Sequence, residues 1–350
     1  MKRLIVVIMA MMLLLAACAP AAPDTPAAPA TPDEPAPAAP AEPAPAEPEP
    51  IEPSGVWNIG YSNMFEKEDF FIVVEAGLRK AVEAAGYTIN VTYADRDAIV
   101  MRSNIEALVL MGADIIIDFN VLDDVGSIIA SELAEQGIPM LSIDSFYDGA
   151  YFFGVNNIEA GRILGEATIP FVEDKFDGEI EYIVNLYDAQ SGLIIKQRND
   201  GVVDVLQDKF GVPDENVIWL DQRADDVLTT TMTRDWLHAN PNASKVVFIG
   251  QNDDRGYAIN VAVEGENRVA DSLIVSHNAD PSSVENMLAA ADGNESAWVA
   301  TASYNAHRYG EQIIEMVTRI LNGTQTAESE YTVVTIVTAA NVKQYVSELS

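Results

Sequence analysis

"GADIIIDFNVLDDVGSIIASELAEQGIPMLSIDS" occupies residues 112–145, and its reading decides the fold. Ile115–Ile117 is an apolar run too short for a helix, and it ends in the polar Asp118-Phe119-Asn120. From Val121 to Gln136 the apolar residues recur at helical spacing, and Gly137 closes the segment. A second short apolar run, Met140–Ile143, follows at once. Strand, helix and strand in so short a space make a βαβ unit, whose strands lie parallel in one sheet.

The alternation continues outward. Val56–Tyr61, Ile89–Tyr93 and Phe152–Val155 read as strands, and Phe70–Ala85 and Ile99–Met111 as helices closed by Gly86 and Gly112. The pattern then restarts. Glu181–Leu186, Val217–Leu220, Val246–Ile249 and Leu273–Ser276 read as strands. Between and after them, helices are expected near Lys196–Lys209, Val227–Ala239, Tyr257–Gly265 and Ser282–Ala291. The expected class is α/β, with two doubly wound parallel-sheet lobes.

In such sheets ligands bind beyond the carboxyl ends of the strands. Those ends read Ser62-Asn63, Asp118-Phe119-Asn120 and Asp144-Ser145 in the first unit. In the second they read Asn185 with Asp188 and Gln190, Gln251-Asn252-Asp253, His277-Asn278 and Tyr304-Asn305. Any one polar loop is ordinary; amides or carboxylates at nearly every end are less so. Phe65, Phe70, Phe71, Phe119, Phe146 and Tyr304 lie close in sequence to these ends. Aromatic faces with planar amides and carboxylates suit a flat, hydroxyl-rich, uncharged ligand.

The N-terminus locates the protein. Lys2 and Arg3 precede the apolar stretch Leu4–Leu15, which is too short to span a bilayer and reads as a secretory signal. Leu15-Ala16-Ala17-Cys18 resembles the bacterial lipobox, so residues 1–17 are expected to be removed and Cys18, the only cysteine, to be lipidated. Two acyl chains on one cysteine would anchor stably. A plain secretory signal with an incidental cysteine is the alternative. Either way no thiol remains for the folded part, which leaves it no disulfide, iron–sulfur cluster or cysteine catalysis. Residues 18–53 continue as an Ala/Pro/Glu-rich tract that cannot bury a core. At about 3.1 Å per residue it makes a tether of roughly 100 Å.

The formal net charge is −34, and losing Lys2 and Arg3 with the signal leaves −36. Nucleic acid is excluded as a partner, since its recognition needs basic surface. His238, His277 and His307 lack metal-ligand spacing, and no Gly-rich phosphate loop, G-x-S-x-G or EF-hand pattern occurs. No cofactor or metal is expected. The pairs Asp123-Asp124, Asp225-Asp226 and Asp253-Asp254 evoke glycosidase chemistry, but read better as carboxylates favoured at helix N-termini.

"SNMFEKEDFF", "GADIIIDFN" and above all "GIPMLSIDS" with "GVNNIEAGRILGE" resemble the type I periplasmic binding proteins of ribose, galactose and related sugars. Their branch also includes autoinducer-2 receptors. The resemblance spans about 55–345. It implies lobes of 55–155 plus 305–331 and of 157–303 plus 333–350, joined by a three-strand hinge that closes on the ligand. It also implies Phe70 and Phe71 stacking on a sugar ring, Asp118 where asparagine is common, and Asp144 accepting from hydroxyls; Asn63 joins the expected site from its place at the end of the first strand. Lys196 or Arg198 would supply a cation; Asn252, Asn278 and Tyr304 would complete the site. Sugar binders commonly carry Asp-Arg where this chain has Asp144-Ser145, a pairing seen in the autoinducer-2 and rhamnose-type branch.

The resemblance thus implies a monomeric, lipid-anchored captor delivering a sugar to an ABC permease. A signalling receptor of the same fold, binding an autoinducer-2-like or nucleoside ligand, and a hydrolase on an α/β scaffold stand as alternatives.

Overall fold

A computed structural model describes residues 55–349; the signal, Cys18 and the proline-rich tract lie outside them. Strands β1 (Asn58–Asn63), β2 (Thr88–Tyr93), β3 (Ile115–Phe119), β4 (Met140–Ile143) and β5 (Tyr151–Gly154) alternate with helices α1 (Asp69–Ala84), α2 (Ala98–Leu110) and α3 (Asp123–Glu135). Helix α4 (Asn157–Phe176) leads into β6 (Tyr182–Tyr187), α5 (Gly192–Phe210), β7 (Val217–Asp221) and α6 (Asp226–Ala239). Next come β8 (Val246–Gly250), α7 (Asp253–Gly265), β9 (Ser272–Asn278), α8 (Pro281–Ala291) and β10 (Trp298–Ser303). The chain closes with α9 (Ala306–Leu321), β11 (Ser329–Tyr331), β12 (Thr335–Thr338) and α10 (Val342–Glu348).

Two six-stranded sheets result, ordered β11-β5-β4-β3-β1-β2 and β12-β10-β9-β8-β6-β7. All neighbours are parallel except β10 and β12. β3, β4 and β8 are buried along their whole length, as strands covered by helices on both faces must be. Each sheet reverses its winding between its first and third strands, and the crevice beyond such a switch point is where doubly wound folds bind ligands.

The chain passes between the sheets three times, after β5, after β10 and between β11 and β12. The passing segments are bonded to one another. Thr332 donates its N–H to the Gly154 carbonyl at 2.9 Å and its hydroxyl to the Tyr304 carbonyl at 2.9 Å.

Two helix pairs cross on glycines. A Cβ on Gly161 of α4 would lie 2.2 Å from the Arg198 carbonyl oxygen and 2.9 Å from the Gly201 Cα of α5. A Cβ on Gly310 of α9 would lie 2.1 Å from the Gly77 carbonyl carbon of α1. Only glycine permits these approaches.

Local differences from the sequence-based expectation have local causes. Helix α3 starts at Asp123 rather than Val121, because Val121 takes a left-handed φ of 51°. Helix α7 starts four residues before Tyr257. The Asn252 side chain caps it by accepting from the Arg255 N–H at 3.2 Å, and the polar first turn carries no apolar period.

Candidate ligand-binding cleft

A cleft of about 530 Å³ opens between the carboxyl ends of the two sheets, within the range usual for small-molecule sites. Phe70, Phe71 and Asp144 line it from the first lobe, Arg198, Asn252 and Asn278 from the second, and Tyr304 from the passage between them.

Asp144 follows β4 with a left-handed φ of 56°. Its Oδ1 accepts the Val155 N–H at 2.8 Å, and the Tyr309 hydroxyl lies 3.5 Å from each oxygen. A Cβ on Gly154 would sit 2.3 Å from that Oδ1, so glycine on the neighbouring strand makes room for the carboxylate. Burial raises the Asp144 carboxyl to about 6, against the Val155 N–H and the Arg198 charge, which pull it down. One oxygen is thus fixed by backbone, while the other keeps acceptor capacity within the cleft wall.

Arg198 meets it from α5. Its Nε and Nη2 donate to Asn157 Oδ1 at 3.0 and 2.8 Å, and its Nη1 donates to the Gln251 carbonyl at 3.3 Å. Its Cζ lies 5.0 Å from the Tyr304 ring centroid, within cation–π reach. The α4–α5 crossing at Gly161 brings Asn157 and Arg198 together. Lys196 points elsewhere: it pairs with Asp200 and rests 3.7 Å from the Trp219 ring centroid. Of the two cations, Arg198 is the one in the cleft wall.

Phe70 anchors an aromatic wall, with edge contacts to Phe71, Phe119, Tyr304 and Tyr309 at centroid separations of 5.8–6.4 Å. Phe146 lies outside the wall, stacked on Phe152 at 4.0 Å.

Two expected residues are buried behind the cleft. Asn63 donates to Glu75 Oε2 at 3.1 Å and accepts the Met64 N–H at 2.9 Å, so its amide shapes the loop after β1. Asp118 accepts from Asn120 Nδ2 at 2.7 Å and from the Tyr147 hydroxyl at 2.9 Å. Both are fully buried. Asn252 and Asn278 line the cleft, the first capping α7, the second donating to Asp280 Oδ2 at 3.1 Å from a backbone with φ 116°.

His277 is also fully buried, 5.9 Å from the Tyr304 ring centroid, and is held neutral by burial and by Arg198. Asp253 is an internal knot rather than a surface carboxylate. It accepts from Ser276, Thr301, Ser283 and the Asp280 N–H, and burial raises it to about 6. Among the described residues no group of three or more His, Cys, Asp or Glu could hold a metal ion.

Arg96, three residues past β2, lines the cleft by the same strand-end rule. Arg96 Nη2 lies 3.5 Å from Asp188 Oδ2 and 3.4 Å from Ser191 Oγ, a contact between the lobes. The β7 end, with Gln222 and Ala224, also lines the cleft.

Asp118, Asp144 and Asp253 each stand near 6 when folded against 3.8 otherwise. Their protonation therefore favours the fold: the contribution is complete below the unfolded value and is lost as pH rises through 6. The melting temperature is expected to be higher at about pH 5.5 than at about pH 8. A higher melting temperature at the alkaline end would contradict these burials.

A model of the "Periplasmic binding protein domain" family matches residues 59–325. No curated protein matches the chain. An ABC transporter solute binding protein from Mycobacterium smegmatis, solved with bound glycerol, is 19% identical, with a TM-score of 0.70 over 83% of this chain and 96% of that one. One from Bacillus halodurans C-125, with bound myo-inositol, is 18% identical, with a TM-score of 0.71 over 84% and 99%. A periplasmic solute binding protein from Actinobacillus succinogenes 130z, with bound D-allose, is 15% identical, with a TM-score of 0.69 over 82% and 99%.

Proposed function

The chain belongs to the periplasmic binding protein family, and from that premise we propose that it captures a sugar or sugar-like polar ligand by closing its two lobes. It is a solute-binding protein, not an enzyme, and the family works outside the cytoplasm. Glycerol, myo-inositol and D-allose in the structural neighbours support a polyhydroxylated ligand for this chain.

The observation that carries the reading is the pairing of Asp144 and Arg198 in one cleft, one from each lobe. A carboxylate accepts from hydroxyls and a guanidinium donates to ring and hydroxyl oxygens, both as charge-assisted bonds. Phe70 and Phe71 offer faces for the C–H side of a sugar ring. We place the lobes at 55–155 plus 305–331 and at 157–303 plus 333–350, with the three passing segments as the hinge. The closed, loaded form is delivered to an ABC permease by a monomer tethered through Cys18.

A thermal-shift screen of monosaccharides, polyols, nucleosides and autoinducer-2 tests the ligand class, since binding raises apparent stability by mass action. A sugar or polyol is expected to raise the melting temperature and to shrink the radius of gyration in small-angle scattering. Stabilisation by nucleosides alone, or by none of the panel, would overturn the reading. Cys18→Ser is expected to release the processed protein from membranes with ligand affinity unchanged. Processed Cys18→Ser protein that still sediments with membranes would refute the anchor.

A further inference from the structure

Carboxylates line both jaws of the cleft in excess of what a neutral sugar needs. Glu68 and Asp69 stand at the start of α1 on the first lobe; Asp254, in the first turn of α7, and Asp280, just before α8, stand on the second. The wall holds six carboxylates, counting Asp144 and Asp188, against four cations, Lys67, Arg96, Arg198 and Arg255, and the arginines bond to partners other than Glu68, Asp69, Asp254 and Asp280. Arg96 reaches Asp188, Arg198 reaches Asn157, and Arg255 pairs with Asp226. Among the described residues no ion pair joins a lysine or arginine to any of the four carboxylates; Asp254 and Asp280 receive only amide contacts, from Asn252 and Asn278.

These charges act on one another across the gap. Desolvation inside the cleft and then the charge of Asp254 raise the Glu68 carboxyl, against a smaller pull from Arg96 and Arg255. Desolvation, then Asp253, Asp254 and Asp69, raise Asp280 further. Closing the lobes on a neutral ligand would press like charges together in a drier space, where repulsion grows. A cation seated between the jaws turns that repulsion into attraction.

A second feature of the wall points to a ligand independently. The Tyr304 hydroxyl and the Gln251 Nε2 have no partner among the described residues, although the two residues are only 1% and 5% exposed. Both line the same cleft and fit the hydroxyl groups of a polar ligand. The net charge of −34 steers cations toward the protein.

We propose that the ligand is a polyhydroxylated amine, an amino sugar or amino polyol, with its ammonium held between Glu68 and Asp69 on one jaw and Asp254 and Asp280 on the other. This rests on the solute-binding reading above and narrows it.

Matched pairs test it by calorimetric titration of the mature protein at low ionic strength: glucosamine against glucose, galactosamine against galactose, glucamine against sorbitol. The amine of at least one pair should bind about fivefold or more tightly than its neutral twin. High salt and the double variant Glu68→Gln/Asp254→Asn should each collapse that preference. Neutral twins that bind as tightly, or a preference that survives both treatments, would overturn the proposal and leave sugar capture standing. Silence from amines and neutral sugars alike would overturn both.

Discussion

Gly161→Ala is expected to destabilise the protein by about 3 kcal/mol and to weaken ligand binding with it. The added methyl would lie 2.2 Å from the Arg198 carbonyl oxygen and 2.9 Å from the Gly201 Cα. Both obstacles are backbone, so no rotamer change relieves the clash and α5 must move away from α4. That movement draws Arg198 off Asn157 Oδ1 and the Gln251 carbonyl, which together set its place in the cleft wall. Set against the unfolding entropy of about 300 folded residues, the loss lowers the melting temperature by about 5 °C. Gly265→Ala is the control. It lies at the end of α7, where an added Cβ meets only Arg234 Nη2 at 3.5 Å, so helix propensity makes it neutral or slightly stabilising. Equal melting curves for the two variants would contradict the tight crossing.

The sheets were legible because strands buried on both faces read as short, mostly apolar runs. Ile115–Ile117 and Met140–Ile143 therefore announce themselves, as does the amphipathic helix between them. The interleaving of the lobes has no such local signature. β11 is the three-residue Ser329–Tyr331, paired with Phe152–Gly154 far back in the chain, and nothing in "SEY" names its partner. Only resemblance to a known family anticipated that the chain would return to the first lobe.

The site divides along a similar line. Asp118 and Asp144 both stand at the carboxyl ends of strands in one sheet, yet Asp118 turns inward to Asn120 and Tyr147 while Asp144 lines the cleft. The difference lies in which loops supply donors, and that is decided by tertiary packing. Lys196 and Arg198 differ likewise. Trp219 and Asp200 claim the first, Asn157 and Tyr304 the second, and three of these four partners come from other elements of the fold. The contact of Arg96 with Asp188 joins residues of different lobes and leaves no trace in either segment alone.

Asp144→Asn is the second large effect, and it acts on binding rather than on the fold. The amide oxygen can still accept the Val155 N–H at the position where Oδ1 now does so at 2.8 Å. The other atom becomes an NH₂, which cannot accept from a ligand hydroxyl. Removing the charge also removes the cost of burying it, because the native carboxyl is raised to about 6 and is ionised at neutral pH. Stability should therefore hold or rise slightly, while affinity falls by about 1.5–3 kcal/mol, roughly ten- to a hundredfold. Isothermal titration of the native protein and Asp144→Asn with the tightest-binding sugar or amino sugar, beside a melting curve of each, measures both quantities. Weakened binding at undiminished melting temperature is the expected result; undiminished binding by Asp144→Asn would contradict ligand capture through this carboxylate.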